Sequence, residues 1–210
     1  ALGVDATSGG NQPDPIYPEA KVRPLLRRTW LPGAFLNPHG YPSHEWVQIF
    51  SEYVSWVRSR DPGGRSWCCN RGWYTSINYP AGEQFAKHKE VAFALREYVV
   101  AGINSDEKVR AMNARNYARY TRYGYTFDPE NFKLNIYKGV NVYMPPKGTR
   151  SGQDGGGGGG GDGDASNPRI TYISSGTEAP DETARGEWMQ IVATAGLQWD
   201  LAVLKLLYDT

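Results

Sequence analysis

Seven consecutive glycines, Gly155–Gly161, constrain this chain more than any other feature. A glycine run has the most backbone entropy to lose and no side chains to bury, so neither a helix nor a central strand passes through it. Residues 151–179 therefore read as a Gly-rich flexible surface loop, and 180–210 as a separate C-terminal segment. The run lacks the Gly-Lys-Ser/Thr ending of a phosphate-binding loop. Asp162-Gly163-Asp164 lacks the ligand spacing and closing glutamate of a calcium loop.

A second punctuated stretch opens the chain. Residues 1–42 are proline-rich, and Gly9 to Pro15 excludes both helix and central strand. Leu25, Leu26, Trp30, Leu31, Phe35 and Leu36 are spaced along it as apolar anchors. The reading is an extended arm that docks on a surface, its own or a neighbour's. Gly and Pro together make up 39 of 210 residues (25 and 14), so a substantial share of the chain is irregular.

Between arm and loop, residues 43–150 read as a helical core. Ser43 suits an N-cap, and Trp46, Phe50, Tyr53, Val54 and Val57 follow on one face. Asp61-Pro62-Gly63-Gly64 ends that helix, and residues 65–79 are irregular, with a hairpin or tight turn as options. A second helix is expected from about Glu83 to Val100, with Gly102 stopping it. A third is expected over 105–123, capped by Ser105 and closed by Gly124. Residues 125–150, with three prolines, read as extended or looped. Pro180-Asp181-Glu182 opens the last and longest helix, whose stripe includes Trp188, Ile191, Ala195, Trp199, Val203 and Leu206. The expected fold class is all-α, a bundle of about four helices with an N-terminal arm.

The chemistry of catalysis is thin. His39, His44 and His88 do not have metal-ligand spacing, and no nucleophile elbow is present. The adjacent Cys68 and Cys69 read as free thiols, because neighbouring Cα atoms are too close for a relaxed disulfide. That weakly favours a reducing compartment. No enzyme activity, metal or cofactor is expected. The formal charge is +1, with no run of about 18 apolar residues, so neither a polybasic tail nor a membrane span is expected.

The third helix carries the functional signal. At 100° per residue, Lys108, Arg115, Arg119 and Arg122 fall within roughly 60° of one another and extend about 20 Å. Tyr120 and Tyr123 lie on the adjacent flank, and Arg110 and Tyr117 on the far side. Arginines beside aromatics suit phosphates and unpaired bases of a single strand. The plain alternative is a solvated face paired with acids from elsewhere. With a charge near zero, tight binding by one copy is not expected, but many weak copies along one strand would suffice.

Residues 102–148 resemble the coat proteins of flexible filamentous plant RNA viruses, the potexvirus-like group. The motifs are Gly102-Ile103-Asn104-Ser105 followed by Val109-Arg110, then Gly124-Tyr125, Phe132, Ile136-Tyr137-Lys138-Gly139-Val140, and Met144-Pro145-Pro146-Lys147-Gly148. The acids that this group carries before Gly-Val are replaced here by Asn135 and Lys138. The resemblance implies an α-helical core, arms that join neighbouring subunits into a helical filament, and single-stranded RNA held between subunits. It implies that Ser105 and Arg110 contact RNA, whereas the stripe points to Lys108, Arg115, Arg119 and Arg122 on another face. The expected protein is a viral coat or nucleocapsid subunit, many copies per virion, found in virions and host cytoplasm. A nucleic-acid-free filament or scaffold subunit is the alternative, and a small enzyme whose site forms only in the fold is a third.

Overall fold

A computed structural model describes residues 29–30, 33–41, 72–127, 134–144, 146–147, 173–180 and 185–210. The helix expected from Ser43, the Cys68-Cys69 pair and the glycine run lie outside the described residues. So do the first 28 residues of the arm.

The described elements are not all-α. They form a mixed β-sheet with helices packed against one face. The strands are β1 (Ala34–Tyr41), β2 (Tyr74–Pro80), β3 (Ile136–Tyr137), β4 (Val140–Tyr143), β5 (Pro146–Lys147) and β6 (Ile173–Pro180). The helices are α1 (Ala86–Ser105), preceded by a 3-10 turn at Glu83–Phe85, α2 (Glu107–Phe127) and α3 (Glu187–Asp209). Five strands run in the order β1-β6-β2-β4-β3, and the short β5 pairs with the end of β2. β1 lies parallel to β6 and β2 parallel to β4, while β6–β2 and β3–β4 are antiparallel.

The expectation of a helical bundle is thus overturned, and the side chains of the sheet explain why. Along β6 the residues facing the helices are Ile173, Ser175, Thr177 and Ala179, all buried. Half of that inward face is hydroxyl, so no apolar alternation marks a strand. The hydroxyls are tolerable because each is bonded. Thr75 Oγ1 donates to the Gly176 carbonyl at 2.8 Å, Thr177 Oγ1 to the Tyr74 carbonyl at 2.9 Å, and Trp199 Nε1 to Ser175 Oγ at 3.2 Å. In β1, Pro38 and Gly40 argue against a strand in sequence terms. The strand forms even so at an end of the described sheet, with Pro38 in register with Thr177.

The core lies between the sheet and α1 and α3. Trp73, Ile77, Leu95, Val99, Ile103 and Trp199 are fully buried there. Each such side chain contributes on the order of 2 kcal/mol by leaving water. Gly102 does not stop α1, which continues to Ser105. Its role is proximity, since a Cβ there would sit 3.1 Å from the Gln198 carbonyl oxygen on α3. Gly124 likewise falls inside α2, and α3 begins at Glu187, because Pro180 belongs to β6.

A two-residue turn joins β3 to β4. Lys138 and Gly139 both have positive φ, 47° and 84°, the pairing that a tight right-twisted hairpin demands. Lys138 has a Cβ and pays strain in that region; Asn104 Nδ2 supports the turn by donating to the Lys138 carbonyl at 2.8 Å.

Candidate nucleic-acid interface

The candidate site is α2. Its start is set by Asp106, the one residue between α1 and α2. Asp106 has extended backbone angles, and its Oδ1 accepts the Val109 N–H at 2.9 Å. Asp106 is therefore the cap, in place of the expected Ser105. Ser105 instead ends α1, its Oγ donating back to the Gly102 carbonyl at 2.7 Å.

The inner face of α2 buries Val109, Met112, Asn113, Asn116, Tyr117 and Tyr120. Asn113 Oδ1 accepts the Trp73 N–H at 3.0 Å. The Tyr117 hydroxyl donates to the Trp73 carbonyl at 2.8 Å and accepts the Asn141 N–H at 3.0 Å. These bonds fasten α2 to the starts of β2 and β4. Gly72, with φ 72°, is needed beside them, since a Cβ would stand 3.0 Å from both Asn113 Oδ1 and Tyr117 Cε1. Three buried donors in this corner, Trp73 Nε1, Asn113 Nδ2 and Asn116 Nδ2, have no acceptor among the described residues.

Burial removes two aromatics from the expected stacking role. Tyr117 and Tyr120 face the interior, so neither ring is open to a base. The side chain of Tyr123 lies outside the description.

The outer face of α2 is cationic. Lys108, Arg115, Arg119 and Arg122 are all exposed, on the side where the helical count put them. Two of them engage the start of α3. Lys108 Nζ lies 2.6 Å from Glu187 Oε1, and the Arg115 guanidinium is 5.7 Å from the centre of the Trp188 ring. The hydrogen bond between Lys108 and Glu187 raises the ammonium's pKa and lowers the carboxylate's. Both groups are mostly exposed, so the pair adds little to stability. Arg110 projects from the opposite flank, and its guanidinium donates to the Asn104 carbonyl at the end of α1. A cation there satisfies a terminal helix carbonyl. The residues named by the motif, Ser105 and Arg110, thus sit at the α1–α2 junction, apart from the stripe.

A second charged cluster escaped sequence reading. Glu97 on α1 accepts from Lys138 Nζ at 2.8 Å, the Tyr137 hydroxyl at 2.8 Å and Arg96 Nη2 at 2.9 Å. Lys138 first, then Tyr137, hold its carboxyl at about 2, well under the ordinary 4.5. The Arg96 guanidinium lies over Tyr137, 3.7 Å from the ring centre. Arg96 is the neighbour in sequence, but Tyr137 and Lys138 lie 40 and 41 residues away, so no local pattern announces the cluster. No group of three or more His, Cys, Asp or Glu able to hold a metal occurs among the described residues.

Comparison of the chain with protein-family models, curated proteins and solved structures gave no match.

Proposed function

We propose that this chain is a structural subunit that packages single-stranded RNA as many repeated copies. The observation that carries the reading is the outer face of α2, where Lys108, Arg115, Arg119 and Arg122 are all exposed on one side. Ala111, Ala114 and Ala118 lie beside them, also exposed, so a phosphate backbone could approach the helix closely. With Tyr117 and Tyr120 buried, the contacts would be to phosphate and indifferent to sequence. The α/β architecture removes the α-helical core that the coat-protein resemblance implied, so the proposal rests on the cationic helix and not on the fold.

A second reading, a nucleic-acid-free scaffold subunit, is favoured by the internal engagement of Lys108 with Glu187 and Arg115 with Trp188. Titration of a fluorescent uridine 20-mer separates the two. The RNA reading expects salt-sensitive binding by the wild type. In the Arg115→Glu/Arg119→Glu variant, the slope of log K against log salt should fall by about 1.4, from two lost phosphate contacts. Both changes are on exposed positions, so the thermal midpoint should stay within a few degrees. Absence of wild-type binding at low salt, or a variant with an unchanged slope, would retire the RNA reading.

A further inference from the structure

Helix α3 is apolar on its inner side and again along an outer stripe, with a polar flank of Glu187, Thr194, Gln198 and Lys205 between them. Its inner side buries Ala195, Trp199, Ala202, Val203 and Leu206. Its outer side carries Met189, Leu197, Leu204, Leu207 and Tyr208, which are 55–91% exposed. Seven large apolar side chains are exposed among the described residues, and five of them are these. Together they present roughly 600 Å² of accessible surface, at the upper end of what a monomer ordinarily leaves in one patch.

The spacing fits another helix. Ala193, Leu197, Asp200, Leu204 and Leu207 follow steps of four, three, four and three, the seam of a helix pair. We propose that this seam joins two copies of the chain, α3 against α3, antiparallel across a two-fold axis. The inference deepens the subunit reading above by naming the face through which copies meet.

Three features of this face favour a second copy as the occupant. The area is adequate, because roughly 600 Å² from each copy gives about 1,200 Å², the lower edge of specific interfaces. The stripe is self-complementary, as a two-fold contact requires. With the pair centred between Gln198 and Trp199, Ala193 faces the partner's Leu204, small against large. Met189 then faces the partner's Tyr208, and thioether against ring is a favourable contact. The ends also match in charge. Arg185, exposed just before the helix, falls within a turn of the partner's Asp209, which is exposed as well. A parallel pair would instead set Asp200 directly against the partner's Asp200. The antiparallel pair sets each Asp200 against the partner's Leu197 and keeps the two carboxylates about a turn apart, so desolvation and repulsion at Asp200 should limit affinity.

The same helix is long and apolar enough to cross a bilayer by length and composition alone. A membrane is therefore the competing occupant, along with another part of the chain itself. Sedimentation velocity of the full chain, freed of nucleic acid and run at about 1 to 100 μM, tests the proposal. A concentration-dependent dimer is expected. Leu204→Glu should weaken it roughly a hundredfold or more, by placing an unpaired charge in the seam. Asp200→Asn should tighten it several-fold, a gain that a misfolded variant could not produce. A protein that stays monomeric at every concentration would overturn the proposal. So would a dimer indifferent to Leu204→Glu, or one that Asp200→Asn fails to strengthen. Flotation of the monomer with neutral phosphatidylcholine vesicles would assign the stripe to lipid instead. The assay contains no RNA, so its failure leaves the binding titration above standing, and the reverse also holds.

Discussion

Tyr117 shows how one side chain can serve an end its sequence neighbourhood does not suggest. Among arginines on a polar helix it resembles a stacking ring, but its hydroxyl bridges two strands. Burial pushes the phenol's pKa upward, so it stays a neutral donor throughout the ordinary pH range. Tyr117→Phe keeps the ring and strands two backbone groups, the Trp73 carbonyl and the Asn141 N–H. The cost should be about 2 kcal/mol, seen as a lower urea midpoint at unchanged slope. An unchanged midpoint would mean that the bridge contributes nothing. The donor surplus among the described residues of the same corner was equally invisible in sequence, because an asparagine reads the same whether its partners are present or absent.

Between elements, Glu97 ties α1 to the β3–β4 hairpin through Lys138 and Tyr137. Its carboxyl is at about 2 in the folded chain and at the ordinary 4.5 otherwise. The folded state therefore holds the proton less readily. The resulting stability is present in full above the ordinary value and is lost as pH falls toward 2. Glu97 is partly exposed, so the effect is modest and screened by salt. Wild type should exceed Glu97→Gln in urea midpoint at pH 6, with the gap closing between about pH 5 and pH 2. A gap that stays constant with pH would remove the carboxylate from this role. Of the hairpin turn only Gly139 was legible in the sequence, because Lys138 carries a Cβ that ordinarily disfavours positive φ. The ion pair was not, because it bridges 41 residues.

At the scale of the molecule, β1 turns the end of the arm into part of the sheet. Ala34–Tyr41 pairs along the whole length of β6. Removing residues 1–41 would bare the β6 backbone edge, a template for pairing with other chains. The truncated protein should aggregate and lose a cooperative melt, followed by light scattering during thermal unfolding. A monomeric, cooperatively melting product would show that β1 is dispensable to the fold. Such a truncation therefore reports on folding before it reports on assembly.

The sequence alone determined what depends on near neighbours. Helical periodicity located α1, α2 and α3 and put the cationic residues on one side of α2, because positions three and four apart share a face whatever surrounds them. Tertiary structure decided the rest. The sheet forms from strands whose inward hydroxyls and prolines carry no strand pattern, and it exists because Thr75, Ser175 and Thr177 find partners about 100 residues away. Gly102 reads as a helix stop until α3 arrives against it. Which face of α2 is interior, and which side of α3 is left bare, follows from packing between distant segments, a relation that no local window of residues contains.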